Sequence, residues 1–111
     1  MLTVFAVQFH TGLGDNDLTL KLSSPSLMQP LIEAYPKTTI VLLHSSYPYT
    51  REAGYLTAMY DNVFLDFGEI FPFVSPDGQR EVLRQVLELA PTNKIMWSSA
   101  SRASALLPAV S

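Results

Sequence analysis

The chain contains no cysteine among its 111 residues. This absence excludes disulfides, thiolate metal sites and a cysteine nucleophile. It is typical of a protein that stays in a reducing compartment, where disulfides rarely persist. We therefore expect a cytoplasmic protein, and any chemistry it performs must use other side chains.

Clusters of basic residues and long apolar runs are also missing. Seven Lys and Arg residues stand against ten Asp and Glu residues, which gives a formal net charge of −3. Without a basic patch, the chain has little with which to bind the phosphates of a nucleic acid. No run approaches the roughly 18 apolar residues of a membrane span. The apolar N-terminus lacks the basic flank and cleavage pattern of a signal peptide. We expect neither a nucleic-acid partner nor a membrane.

Apolar residues are plentiful, at 48% of the chain, and they recur with two alternating periods. Short continuous runs predict strands at 3–10, 40–43, 63–68 and 94–97. Helical spacing predicts helices at about 27–35, 51–60 and 77–90. Crossovers of this length require parallel strands, and right-handed crossovers place the helices on one side of a closing sheet. The β-α-β-α-β-α-β order predicts an α/β fold that is half of a (β/α)8 TIM-type barrel, whose full form needs about 250 residues.

The C-terminal stretch breaks this alternation. It reads SSASRASALLPAVS over 98–111, which is rich in Ala and Ser and has neither strand nor helical periodicity. Segments of this composition cannot bury enough apolar surface to form a packed element. We therefore expect one partial barrel domain over 1–97 and a disordered tail over 98–111.

Two histidines close two of the predicted strands. His10 ends the first apolar run and His44 ends the second, and each is followed by small polar residues and a turn. Function in a parallel sheet collects just beyond the carboxyl ends of the strands. Two imidazoles at that edge would suit a metal site. Two ligands are nevertheless too few for a catalytic metal.

Two acidic residues near the end of the third predicted strand are further candidates. Asp66 lies inside an apolar run, and a buried carboxylate is costly unless it is paired or faces the strand ends. It is a catalytic candidate, and a structural pair with Arg51 or Lys94 is the alternative. Glu69 follows the same strand and could contact substrate at the mouth of the site, although a solvated loop carboxylate has the same pattern.

One arginine could contact a substrate. Arg51 carries a planar guanidinium that could clamp a substrate carboxylate through two parallel hydrogen bonds. A surface ion pair with the nearby Glu52 or Asp61 explains the same residue without any substrate. Substrate binding by Arg51 therefore stands as a prediction beside this structural alternative.

Several long blocks resemble a known family. QFHTG, IVLLHSSYPY and NVFLDFG resemble the amidohydrolase-related family of metal-dependent (β/α)8 hydrolases and decarboxylases, at 8–12, 40–49 and 62–68. SSYPYTREAGYLT and PTNKIMWS are similar to one branch of that family, at 45–57 and 91–98. In that branch, found in fungi and plants, the domain is fused to a glutamine synthetase-like domain. Because the blocks agree in order and spacing, the resemblance is specific.

The resemblance covers about residues 4–98 and implies roles for both histidines. His10 corresponds to the metal-binding His that ends the fifth barrel strand. His44 corresponds to the His that ends the sixth strand, which binds metal or the attacking water and substrate. In such enzymes a divalent ion, here expected to be zinc, acidifies a water and polarises a carbonyl. The implied activity is hydrolysis of C–N bonds, or decarboxylation, of small molecules.

Two parts of the family pattern are missing from this sequence. The His-x-His pair of the first barrel strand has no counterpart, and Ala100 stands where the family has the Asp that follows the eighth strand. A catalytic zinc needs three protein ligands and an open position. We therefore expect a truncated amidohydrolase-related domain that is inactive by itself.

A different class of function has to be considered beside the enzyme. The chain could be a non-catalytic interaction or relic fragment, which either self-associates or complements a partner that carries the missing half-barrel. Its first and last strands would offer open pairing edges. Its inner face would leave apolar side chains partly uncovered. We expect that face to carry Phe5, Val7, Val41, Leu43, Phe64 and Ile95.

Overall fold

The computed structural model of the chain describes residues 6–14, 16–68 and 73–96. Within these ranges four strands form one sheet: β1 (Ala6–His10), β2 (Thr39–Leu43), β3 (Val63–Asp66) and β4 (Ile95–Met96). The α-helices that connect them are α1 (Gln29–Ala34), α2 (Thr50–Met59) and α3 (Pro76–Leu89). The sheet order follows the chain and every neighbouring pair is parallel. The predicted α/β order of half a (β/α)8 barrel is confirmed.

The helices pack against one face of the sheet. Strand residues alternate between faces, and those at Ile40, Leu42, Val63 and Leu65 meet the buried side chains of all three helices. The core between sheet and helices contains Ile32, Ile40, Leu42, Ala53, Leu56, Val63, Leu65, Val82 and Val86. This one-sided arrangement is the layer order of a TIM-type barrel, in which helices surround the strands.

The opposite face corresponds to the inside of a barrel. A smaller cluster of Val41, Leu43 and Met96 lies there, with Phe64 packed against it. Two of our expectations for this face are wrong. Val7 pairs in register with Ile40, so it lies on the helix side, and Ile95 packs against the helix-side core. The cause is the position of each residue in the alternation along its strand. Phe5 lies outside the described residues.

Helix ends follow the local sequence. The Ser75 side chain caps α3 by accepting a hydrogen bond from the Gly78 N–H at 3.1 Å, and Pro76 occupies the first turn. The first helical residue of α2 is Thr50, and its N-cap position belongs to Tyr49. In the part of the chain that the structure describes, no helix combines the length and apolarity required to cross a membrane.

Several predicted features fall outside the described residues. Glu69 lies in the undescribed stretch 69–72, and the expected tail over 98–111 lies beyond residue 96. The predicted division of the chain at residue 97 therefore stays a prediction.

Candidate functional site

The carboxyl ends of β1 and β2 bring the two histidines together. His10 pairs in register with Leu43, and His44 is the next residue along the chain. His10 Nδ1 lies 2.8 Å from His44 Nε2, and the ring centroids are 4.8 Å apart at an interplanar angle of 47°. At this distance the two nitrogens share a hydrogen bond, in which one ring donates its N–H and the other accepts. The predicted juxtaposition of His10 and His44 is present.

The two rings differ in their access to solvent. His44 is buried, with 6% of its surface exposed, whereas His10 is exposed to solvent. His10 also borders an open cleft of about 450 Å³, formed by the loop that follows β1. The lining residues are His10, Asp17, Leu18, Thr19, Leu22 and Ser23. A small molecule could therefore reach His10 directly, while His44 supports it from within. Asp17 could not be predicted from the sequence as a residue of this cleft, because its loop carries no apolar periodicity that would place it.

The backbone that follows β2 adopts a strained conformation. His44, Ser45 and Ser46 have φ values of 62°, 50° and 53°, so three consecutive non-glycine residues are left-handed. Such residues are uncommon and cluster at functional sites, where the surrounding structure holds them. All three side chains are buried. This turn directs the chain back across the end of β1, and it brings the His44 ring to His10.

The loop that follows β1 braces this turn. Gly12 has φ +73°, and a Cβ at this position would collide with the backbone carbonyl oxygens of Ser46 and Tyr47. Thr11 Oγ1 and Ser46 Oγ share a buried hydrogen bond of 2.6 Å. The Gly12 N–H donates to the Ser23 carbonyl at 2.7 Å. The ends of the two strands are therefore tied together directly beside the histidines.

Asp66 ends β3 on the inner face of the sheet. Its side chain is 2% exposed, and its Oδ1 accepts a hydrogen bond from the Gly68 N–H at 2.9 Å. The two cations considered as structural partners donate their hydrogen bonds elsewhere, Arg51 to Glu88 and Lys94 to the carbonyls of Thr57 and Tyr60. The catalytic role of Asp66 stays a prediction, now placed at the same edge of the sheet as the two imidazoles.

Arg51 joins two helices. Its guanidinium donates two hydrogen bonds of 3.1 Å to the carboxylate of Glu88, which ties α2 to α3. The partner is thus neither Glu52 nor Asp61, as the alternative had it. Hydrogen bonding to Glu88, with its charge, raises the pKa of the Arg51 guanidinium. Both side chains are largely exposed, and neither contact involves the histidine pair. Substrate binding by Arg51, and by Glu69, stays a prediction.

Lys94 lies at the other end of the sheet, before β4. Its ammonium donates to the Thr57 carbonyl at 2.6 Å and to the Tyr60 carbonyl at 2.7 Å. Burial lowers the pKa of Lys94, and the charge of Asp61 opposes part of that shift. Lys94 therefore stabilises the end of α2, which lies at the opposite end of the sheet from the histidine turn.

A divalent ion suits the donors at this edge in kind but not in number. Imidazole nitrogens bind zinc at about 2.0–2.1 Å, so two ligands of one tetrahedral ion lie about 3.3 Å apart. The His10–His44 separation of 2.8 Å is the shorter spacing of a hydrogen bond. Within 6–14, 16–68 and 73–96, no group of three His, Cys, Asp or Glu side chains could hold an ion. The described residues therefore offer imidazole donors of a kind that zinc binds, but they do not form a metal centre.

Comparison with known proteins assigns the family. The model of a family described as Amidohydrolase matches residues 5–101, which is most of the chain. The chain belongs to the amidohydrolase family. The resemblance that the sequence blocks indicated is thereby confirmed, and the two strand-end histidines lie within the matched region.

Two relatives of this amidohydrolase chain are much longer than the chain itself. It is 57% identical over 93 residues to the protein fluG of Emericella nidulans, a match that covers 84% of this chain and 11% of fluG. It also matches the crystal structure of a protein described as a metal-dependent hydrolase from Lactobacillus casei, with a TM-score of 0.75 and 39% identity. That match covers 83% of this chain and 24% of the other. The amidohydrolase chain thus spans about a tenth and a quarter of these relatives.

Proposed function

We propose that this chain supplies two ligands, His10 and His44, to the metal centre of an amidohydrolase that acts on small molecules. The observation that supports this most strongly is the placement of both imidazoles side by side at the carboxyl ends of neighbouring parallel strands. Imidazole donors suit zinc, which is the ion we propose. The reaction would be hydrolysis of a C–N bond or decarboxylation.

The described residues divide the work at this edge. A bound divalent ion would supply an acidified water and a polarised substrate carbonyl. The His44 ring would bind the ion from the buried side of the site, and the His10 ring would bind it from the side of the open cleft. Asp66, at the end of the next strand, would accept or return a proton. The backbone N–H of Gly68 keeps that carboxylate oriented.

We further propose that the 111 residues do not catalyse this reaction alone. Among the described residues, His10 and His44 would provide two ligands, and a catalytic zinc needs three. The remaining ligands would come from other β/α units of the barrel. The negative net charge favours a small-molecule substrate over a nucleic acid. The cysteine-free composition supports a cytoplasmic location, and the fused glutamine synthetase-like domain stays a prediction.

Titration of the metal-free, 111-residue protein with zinc chloride, followed by calorimetry, tests the ligand role. We expect one weak site whose affinity falls at least tenfold in His10→Ala and in His44→Ala, because each variant removes one of two donors. Asp77→Asn serves as a matched control. Asp77 is exposed on α3, so this substitution removes one charge at a position far in sequence from both histidines. Equal zinc affinity in the wild type and in the variant that lacks both histidines would contradict the proposal.

An activity assay tests the second part. The wild-type chain, incubated with zinc and a panel of small amides and carboxylic acids, should give no ion-dependent turnover. Turnover that disappears in His44→Ala would contradict the predicted inactivity while supporting the amidohydrolase chemistry.

A second candidate is a non-catalytic chain that associates through its open edge. It is favoured by an apolar cleft of about 220 Å³ beside β1, lined by Val7, Phe9, Leu31, Tyr35, Thr38 and Ile40. Exposed apolar surface beside an unpaired strand edge promotes association between chains. The size of the protein in solution, measured by sedimentation velocity, tests this candidate.

A further inference from the structure

The strand ends are linked by two hydroxyl groups that the proposed chemistry does not use. Thr11 follows His10 directly, and Ser46 lies two residues after His44. Their hydroxyl oxygens are 2.6 Å apart, and the two residues are 5% and 0% exposed. A buried hydrogen bond between side chains from different strand ends is sensitive to small displacements of either strand.

This bond lies where the backbone needs an external support. A left-handed residue that is not glycine is strained, because its Cβ comes too close to the following carbonyl oxygen, and three such residues follow one another from His44 to Ser46. Such a run persists only when its surroundings over-determine it. The Thr11 hydroxyl and the close approach of Gly12 are contacts from β1 that hold the run in place.

The same contacts fix the two rings relative to each other. Each ring is carried by a backbone whose next few residues take part in the Thr11–Ser46 bond. A shift of the His44–Ser46 turn away from β1 would lengthen the 2.8 Å approach of the two ring nitrogens and the 2.6 Å hydroxyl contact together. The hydroxyl pair is thus placed to set the ring separation.

We propose that Thr11 and Ser46 are positioning residues, whose hydroxyl–hydroxyl bond holds His44 Nε2 against His10 Nδ1. This inference deepens the proposed function and rests on it for its purpose. The hydroxyl group, rather than the shape of the threonine, is the active feature, because the bond needs a donor and an acceptor in that position. Neither residue touches substrate in this role.

Scalar coupling between the two imidazole nitrogens across their hydrogen bond, in the 15N-labelled full chain, tests the inference. The measurement is made without metal at a pH of about 8.5, about two units above the reference pKa of a histidine side chain. The wild type should show a cross-peak between His10 Nδ1 and His44 Nε2. Thr11→Val, which keeps the shape and removes the hydroxyl, should lose it. Thr11→Ser, which keeps the hydroxyl, should retain it.

Two further variants separate positioning from general stability. Ser46→Ala removes the same bond from the other strand end, so it should also lose the cross-peak. Thr50→Val is the matched control, because Thr50 is fully buried and its hydroxyl has no hydrogen-bond partner among the described residues. This variant should keep the cross-peak. Amide spectra of every variant report whether the fold is retained.

Four outcomes would overturn the inference. The first is a wild type without the cross-peak, and the second is a folded Thr11→Val that keeps it. The third is a Thr11→Ser that loses it like Thr11→Val, which would assign the effect to the lost methyl group. The fourth is unfolding of both Thr11→Val and Ser46→Ala, which would make the bond a folding contact. Because no metal is present, these results are independent of the zinc titration that tests the proposed function.

Discussion

At the scale of single residues, Gly12 shows why the site needs a particular amino acid. Its φ of +73° lies in the region that glycine adopts without strain. A side chain there would also meet the carbonyl oxygens of Ser46 and Tyr47, which belong to the backbone and cannot rotate away. The close approach of the two strand ends at this point therefore depends on the absence of a Cβ at Gly12. The histidine turn can approach β1 closely because Gly12 leaves the space.

Substitution of Gly12 should be strongly destabilising. We expect Gly12→Ala to lower the free energy of unfolding by at least about 2 kcal/mol, since it adds left-handed strain and a backbone collision. Urea denaturation measures the change. The control is Gly14→Ala, whose Cβ would meet only the Leu18 side chain at 3.4 Å. Its effect should stay within about 0.5 kcal/mol. Similar losses in both variants would contradict this account of Gly12.

Only some of these residue roles could be predicted from the sequence. His10 and His44 could be identified because each ends an apolar run, and parallel strands bring such ends to one edge. The left-handed run could not, because Ser45 and Ser46 have no intrinsic preference for positive φ. Arg51 shows the same limit. Its partner Glu88 lies 37 residues away, whereas the expected partners were close in sequence.

At the scale of secondary-structure elements, two side chains that are distant in sequence donate hydrogen bonds to backbone carbonyls at helix C-termini. Asn62 donates from its side-chain amide to the carbonyls of Tyr35 and Thr38, at 3.1 and 3.0 Å, and so stabilises the turn after α1. Lys94 binds the carbonyls of Thr57 and Tyr60 at the end of α2. The last carbonyls of a helix lack intrahelical partners, and a cation there is favourable. These two contacts tie the ends of α1 and α2 to the residues that lie just before β3 and β4, respectively.

Removal of the Lys94 cap should be measurable. We expect Lys94→Met to lower the free energy of unfolding by about 1–2 kcal/mol at neutral pH, because two carbonyls lose charged donors. Lys37→Met is the matched control, since Lys37 is exposed, and it should change stability little. Thermal or urea unfolding compares the two variants. An equal effect of both substitutions would contradict a capping role for Lys94.

The same variant gives a pH dependence with a defined sign. The pKa of Lys94 is lowered in the folded protein, so between that value and 10.5 the unfolded chain binds a proton that the folded chain does not. Stability from this group therefore rises as pH increases through that window. The difference in unfolding free energy between wild type and Lys94→Met should grow with pH below 10.5. A difference that shrinks with rising pH would contradict the direction of the pKa shift.

Element positions were more predictable than the faces that the elements bury. The strand predicted at 40–43 is Thr39–Leu43, and the helix predicted at 77–90 is Pro76–Leu89. In α2, however, the large apolar side chains of Tyr55 and Met59 are 49% and 53% exposed. The buried positions include Ala53, Gly54 and Thr57 instead. The close crossing of α2 and α3 requires small residues, and apolar periodicity does not report on that packing.

At the scale of the whole molecule, the four strands and three α-helices leave two kinds of surface without a partner from the described residues. β1 pairs with β2 alone in the sheet, and the apolar cleft beside it contains Val7, which is 40% exposed. On α3, Leu87 and Leu89 are 60% and 48% exposed. The alternation of strands and helices was sufficient to predict half a barrel. It could not show what covers these surfaces, because that depends on residues outside these strands and helices.

These surfaces predict association of the 111-residue chain with itself. We expect dimers or larger species at micromolar concentration in sedimentation velocity, because an open parallel edge and exposed apolar side chains favour contacts between copies. Val7→Lys should shift the population toward monomer, since a charge on an edge strand opposes pairing. Met59→Lys is the control, because Met59 is 53% exposed on α2 and lies away from that edge in sequence and fold. A sharp monomer that binds no hydrophobic dye would contradict the prediction, and so would an equal shift in both variants.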